Sequence, residues 1–201
     1  MAAAAYAQPT ETYHVFDVDV PASHGLTVTL HSRLRTQSQT PGPYEARFGP
    51  IITCRVSPRQ TLAAGYYYTE QKDTEAYRTI HRPFVGASTT ILSNASTELS
   101  ARVSAERFLI TGRPDFNRYR GRVRLAAKGR VAPYSNFELL LDRQGWRSHR
   151  LGGGLRAALG SRFHLDGGYF FESRRTNAGG DRHVWTTGPS YEWERHRHGA
   201  P

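Results

Sequence analysis

The sequence predicts an all-β protein, a single up-and-down antiparallel transmembrane β-barrel of ten to twelve strands, and three observations carry that reading. Apolar and polar residues alternate with period two through most of the 201 residues, which suits strands and not helices. No apolar run is long enough for a transmembrane helix, and a mean hydropathy of −0.60 is compatible with barrel strands, which are apolar only at every second position. Short turns at 21–25, 57–60, 93–96, 130–134 and 160–162 alternate with longer polar loops at 36–43, 71–82, 111–117, 143–149 and 175–181. That rhythm matches a barrel with tight periplasmic turns and longer extracellular loops.

Residues 13–20 alternate and end in a Pro, Ser and Gly turn cluster. Leu26, Val28, Leu30 and Leu34 then oppose Thr27, Thr29, His31, Arg33 and Arg35. In the third segment Tyr44, Ala46, Phe48, Ile52, Cys54 and Val56 oppose Glu45, Arg47, Thr53 and Arg55, and Pro50 inside it predicts a bulge or local break. Leu62, Ala64, Tyr66 and Tyr68 form one face of the fourth, and 84–92 is a weakly patterned fifth. Leu99, Ala101, Val103 and Ala105 oppose Glu98, Arg102 and Glu106 in the sixth. Asn94-Ala95-Ser96, formally a glycosylation sequon, reads as a plain turn.

The seventh segment is the most unusual. Arg118, Arg120, Arg122 and Arg124 occupy alternate positions, so a strand sends all four guanidinium groups to one face and Tyr119, Gly121, Val123 and Leu125 to the other. Turning an arginine to lipid costs about 2–4 kcal/mol near the bilayer midplane, so the arginines are expected inside. Neighbouring segments offer Glu98 and Glu106 on one side and Glu138 and Asp142 on the other as cross-strand partners. The expected lumen is therefore a ladder of Arg118, Arg120, Arg122, Arg124, Glu98, Arg102, Glu106, Glu138 and Asp142, and in a narrow barrel it is plugged rather than open.

Four further segments complete the pattern. Phe137, Leu139 and Leu141 oppose Glu138 and Asp142; Leu151, Leu155 and Leu159 alternate with Arg150 and Arg156; Phe163, Leu165, Tyr169 and Phe171 alternate with His164, Asp166 and Glu172. Gly152-Gly153-Gly154 has no strand-to-helix switch after it, so it reads as a bend in the sheet and not a phosphate loop. Last, Trp185, Thr187, Tyr191 and Trp193 oppose Thr186, Ser190, Glu192 and Glu194. Tyr66, Tyr68, Tyr169, Trp185, Tyr191 and Trp193 are candidate membrane-interface aromatics. Eleven segments sit awkwardly with an even-stranded barrel whose termini share one side. A further strand near 8–12 would give twelve, the favoured count, and loss of the first would leave ten.

Ala5-Tyr6-Ala7 has the small-x-small form of a signal-peptidase site, so 1–7 reads as a signal-peptide remnant, 8–195 as the barrel and 196–201 as a disordered basic tail. The net charge of +10 raises nucleic acid or another anionic partner, but the charges recur along strands instead of clustering. The aromatics also fall on the face opposite the arginines, against base stacking. A lipid hydrolase would need Ser, His and an acid together; His81 with Ser88, or His164 with Ser161 and Asp166, supply the residue types without a nucleophile elbow. His196 and His198 lack further metal ligands, and no cofactor motif is present.

Ala105-Glu106-Arg107-Phe108, then Asn117 to Leu125 with its alternating arginines, then Pro133-Tyr134-Ser135-Asn136-Phe137-Glu138, resemble the bacterial family named domain of unknown function 2490, and the likeness spans 13–195. The resemblance implies a small barrel in the outer membrane of a Gram-negative bacterium. It implies no reaction and brings no catalytic residues. The expected role is that of a non-enzymatic structural or interaction protein, or a narrow pore. Its partners are outer-membrane lipid and, for insertion, periplasmic chaperones and the barrel-assembly machinery, with no nucleic acid.

Overall fold

The computed structural model describes residues 10–23, 25–38, 40–73, 76–175 and 180–193. The 1–7 and 196–201 segments lie outside them. Eleven strands follow one another: β1 (Thr10–Ser23), β2 (Leu26–Gln37), β3 (Thr40–Ser57), β4 (Gln60–Asp73), β5 (Ala76–Ser93), β6 (Thr97–Ile110), β7 (Phe116–Ala127), β8 (Val131–Asp142), β9 (Gly145–Ala158), β10 (Phe163–Arg174) and β11 (Arg182–Glu192). Each pairs antiparallel with its sequence neighbours, and β1 closes on β11 to complete a barrel.

The closing pair is parallel, running from Thr10 opposite His183 to Asp19 opposite Glu192. This settles the parity problem in a way the alternation could not show. Among the described residues the wall holds eleven strands, inside the expected range and one short of the favoured twelve. Closure by a parallel pair needs no even count, and β1 and β11 both start at the same rim. We call that the upper rim, and the other, which carries the turns after β1, β3, β5, β7 and β9, the lower rim.

The expected contrast between short and long connections is much reduced. Of the upper-rim loops only 111–115 and 175–181 remain of any length, because the strands run on through the rest of the polar residues. β3 and β5 reach 18 residues each, well beyond the 9–11 that suffice for a transmembrane strand. Sequence alternation underestimates such extensions because above the apolar band both faces of a strand meet water. At the lower rim the Asn94 side-chain oxygen accepts from the backbone amides of Ser96 and Thr97 at 2.9 and 2.8 Å, closing the turn that the sequon suggested.

Pro50 does not break β3. The β3–β4 ladder instead skips from Phe48 opposite Tyr68 to Ile51 opposite Gly65, so Gly49 and Pro50 have no partner on β4 while keeping His31 and Leu30 on β2. Tyr44 is a clear departure from the alternation. It is 7% exposed and lies inside, beneath the Arg35 guanidinium, because the β2–β3 register shifts at Arg35, Thr36 and Gln37 and changes the phase of the strand.

Leucine, valine, phenylalanine and tryptophan side chains cover the outside, with Leu30, Phe48, Val85, Val103, Tyr119, Leu151, Leu155 and Trp185 all exposed. Cys54 is exposed on the same face. The triple glycine marks a pinch in the wall: a Cβ on Gly154 or Gly168 would stand 2.8 Å from the Tyr134 hydroxyl, and on Gly154 closer still to the Gly167 carbonyl oxygen. Gly121 has open space around it. Gly154→Val should therefore cost about 1–3 kcal/mol of barrel stability while Gly121→Ala costs little. The thermal conversion of folded to unfolded bands on denaturing gels tests this, and equal effects would contradict the pinch.

Candidate functional site

The site follows from strand phase. Period-two alternation points Arg118, Arg120, Arg122 and Arg124 into the lumen and leaves Tyr119, Val123 and Leu125 outside. The same phase rule brings in charges from ten of the eleven strands, and at one level they meet as a belt.

Five glutamates anchor it, each at most 5% exposed: Glu11, Glu45, Glu106, Glu138 and Glu172. Glu106 accepts from Arg82 at 2.5 Å and Arg118 at 2.6 Å, with Arg120 at 4.0 Å. Glu138 accepts from Arg120, and from Arg150 at 3.0 Å. Glu172 takes Arg150 at 3.4 Å, Arg174 at 3.0 Å and the Ser148 hydroxyl at 3.0 Å. Across the barrel, Glu11 accepts from Arg182 and from Arg35 at 2.6 Å, while Glu45 takes Arg33, Arg35 at 2.6 Å and Arg47 at 3.1 Å. β4 adds no charge to the belt and offers the Thr69 hydroxyl to Arg47 at 3.3 Å.

Nine guanidinium groups thus meet five carboxylates. Ring faces take up part of the cationic surplus. Arg82 and Arg118 lie 4.3 and 4.6 Å from the Phe108 centroid, Arg33 and Arg35 4.8 and 4.5 Å from Tyr13, and Arg150 5.1 Å from Phe170. A ring quadrupole attracts a cation without needing a second charge. This corrects the expectation that aromatics and arginines occupy opposite faces: Tyr13, Tyr67, Phe108, Tyr134 and Phe170 all stand inside among the guanidinium groups.

The expected ladder divides in the structure. Arg118, Arg120, Glu106 and Glu138 belong to the belt. Arg122 lies opposite Glu138 in register, yet both Glu138 oxygens are engaged by Arg120 and Arg150, and Arg122 makes no ion pair or hydrogen bond among the described residues. Arg102, directly opposite Arg122, makes none either, and Arg124 lies 4.2 Å from the Tyr134 centroid. Asp142 sits opposite Arg118 but turns to Arg147 and Arg175 at 3.3 and 3.2 Å at the upper rim. Glu98 stands near the lower rim, opposite Ser93 and Ala126, and joins no ion pair among the described residues.

The belt also holds residues outside the expected ladder: Arg33, Arg35, Glu45, Arg47, Arg150 and Glu172, which the alternation had set on polar faces, and Glu11, Arg82, Arg174 and Arg182, which it had not. Their signal was present in the inward phase of each strand, where a glutamate recurs on β1, β3, β6, β8 and β10. Two chambers flank the belt, about 490 Å³ above and 390 Å³ below, and Tyr13, Arg33, Arg47, Arg82, Arg120 and Arg150 line both.

On the outer face the six aromatics form three pairs. Tyr66 bonds His81, whose ring lies 5.7 Å from Tyr68; Tyr169 bonds His183 at 2.5 Å and packs 5.1 Å from Trp185. Tyr191 and Trp193 meet edge to face at 6.1 Å near the lower rim. His81 and Ser88 point to opposite faces and cannot act together. His164 and Asp166 both point inward, but His164 faces Glu192 at 3.6 Å, and no serine bonds a histidine among the described residues. No group of three metal-ligating side chains occurs among them.

A closed meander with an apolar outer wall and a charged lumen is a porin-like barrel. The chain belongs to the family described as protein of unknown function, DUF2490, whose model matches residues 10–183. Among solved structures it is similar to the NanC porin, with a TM-score of 0.58 and 11% identity over 93% of this chain and 100% of that one. It also matches an anion-selective porin from Comamonas acidovorans at a TM-score of 0.44 and 13% identity, over 85% of this chain but only 53%, about half, of that porin's length. The likeness to the NanC porin shows the fold alone. No curated protein matches the sequence.

The divided ladder makes a sharp forecast. Arg150→Leu takes one arginine from each of two buried carboxylates, leaving Glu138 to Arg120 and Glu172 to Arg174, and should cost about 2–3 kcal/mol, as losing charge-assisted hydrogen bonds does. Arg122→Leu removes a cation that faces Arg102 and should change stability by less than about 1 kcal/mol. Urea unfolding of the refolded protein in detergent measures both, and the reverse order would show that the ion pairs are misassigned.

Proposed function

We propose that this chain is a non-enzymatic outer-membrane barrel of a Gram-negative bacterium, forming a narrow, anion-favouring pore constricted at the Arg and Glu belt. The observation that carries the reading is the excess of guanidinium over carboxylate groups in a lumen enclosed by an apolar wall. Inside a low-dielectric wall a fixed cationic surplus attracts anions and repels cations. The ion pairs and stacked rings fill the waist, so the passage admits small solutes at most.

The outer face supports a bilayer setting. Tyr66, Tyr68, Tyr169 and Trp185 would lie at one membrane interface and Tyr191 and Trp193 at the other. Trp185 and Trp193 are eight residues apart on β11 and its continuation, about 26 Å of strand, which is near the height of an apolar band. With its short turns, the lower rim would face the periplasm. The partners on this reading are outer-membrane lipid and the chaperone and assembly machinery that inserts barrels. Nucleic acid has no place, since the inward rings are covered by the protein's own arginines.

Cell fractionation should recover the protein with the outer membrane as a heat-modifiable species. In planar bilayers under a potassium chloride gradient the reversal potential should report chloride passing in preference to potassium, at low unit conductance. Recovery in the soluble fraction, or cation preference, would refute the proposal.

A further inference from the structure

Below the belt, β6 and β7 place Arg102 and Arg122 directly opposite one another, and Arg124 follows two residues on in the same inward row. Like charges directly opposed across a ladder destabilise each other. All three line the lower chamber of about 390 Å³. Every carboxylate that shares this chamber is already engaged: Asp17 by His31 at 2.7 Å, Asp166 by Arg156 at 3.7 Å, Glu106 by Arg82 and Arg118, and Glu138 by Arg120 and Arg150. The Arg124 Nε is buried without an acceptor. Asn136 and Thr186 add neutral hydrogen-bonding groups to the same lining.

Three neighbouring guanidinium groups that lack a carboxylate define what would satisfy them. The complement is a compact anion with several acceptor oxygens, because each planar guanidinium can bond two oxygens at once. Chloride supplies charge but only one acceptor atom. We infer that the lower chamber is a built site for a phosphate-like oxyanion, held by Arg102, Arg122 and Arg124. This deepens the proposed anion-favouring lumen, since it rests on anions reaching the chamber and adds selection among them. Free phosphate and the phosphate group of a sugar phosphate present the same chemistry.

The test uses the full chain refolded in detergent. Inorganic phosphate and, separately, glucose 6-phosphate are titrated calorimetrically at constant chloride. The inference expects saturable binding of phosphate, and a loss of about tenfold or more in affinity for Arg102→Gln with Arg122→Gln. The single variant Arg102→Gln should show a partial loss, and Arg107→Gln on the outer face none. Preference for glucose 6-phosphate over phosphate would assign the site to a carried phosphate group, and the converse to the free ion. No saturable phosphate binding, or binding unchanged in both chamber variants, would overturn the inference. Bilayer selectivity keeps the two readings apart: chloride preference retained without phosphate binding sinks the site but not the pore, and phosphate binding without chloride preference does the opposite.

Discussion

Five buried glutamates in a lumen dominated by arginine set the terms for the rest of the barrel. A carboxylate taken out of water loses hydration worth several kcal/mol and must recover it from charged hydrogen bonds. Each of these receives two or more guanidinium groups, and several of the arginines bridge two glutamates. The result is two chains of alternating charge, Glu11–Arg35–Glu45 on one side and Glu106–Arg120–Glu138–Arg150–Glu172 on the other. Because the links cross from strand to strand, they tie register to electrostatics. A one-residue slip of any participating strand would send its charges to the outer face.

The wall accommodates the belt in two ways. Rings stand beneath those guanidinium groups whose Nε atoms lack an acceptor, as Phe108 does for Arg82 and Arg118. Glycines let β8, β9 and β10 approach closely where Tyr134 crosses the inside of the sheet. The belt is consequently a layer of mixed ionic and aromatic packing. It bounds two chambers of unlike character: the upper one lies within the extended strand ends, and the lower one holds the arginines left over from the belt.

Much of the fold was legible in the sequence because period-two alternation directly reports which side of a wall a residue faces. Arg118 to Arg124, Leu151 to Leu159 and Trp185 all lie on the face their phase assigns. Partnerships were less legible, since they depend on stagger between strands and on the reach of long side chains. Arg122 stands level with Glu138 on one side, yet Arg120 takes that carboxylate from a diagonal position and Arg150 from directly opposite on β9. Tyr44 defeated the phase rule through a register shift, and Glu11 was passed over because the first segment was begun at Tyr13. The inward aromatics escaped notice because Tyr67 is flanked by Tyr66 and Tyr68 on the other face, where the cluster drew the eye outward. The parallel closure of β1 on β11 leaves no local mark at all, being a relation between distant strands.

The central claim is that cross-strand ion pairs, and not the wall alone, hold this barrel together. A double-mutant cycle on Glu106 and Arg118, made as Glu106→Gln, Arg118→Gln and the pair and followed by urea unfolding in detergent, addresses it most directly. The account predicts a coupling of about 1–3 kcal/mol, the range for residues in one buried network. Coupling indistinguishable from zero would contradict it and leave the belt a passive lining.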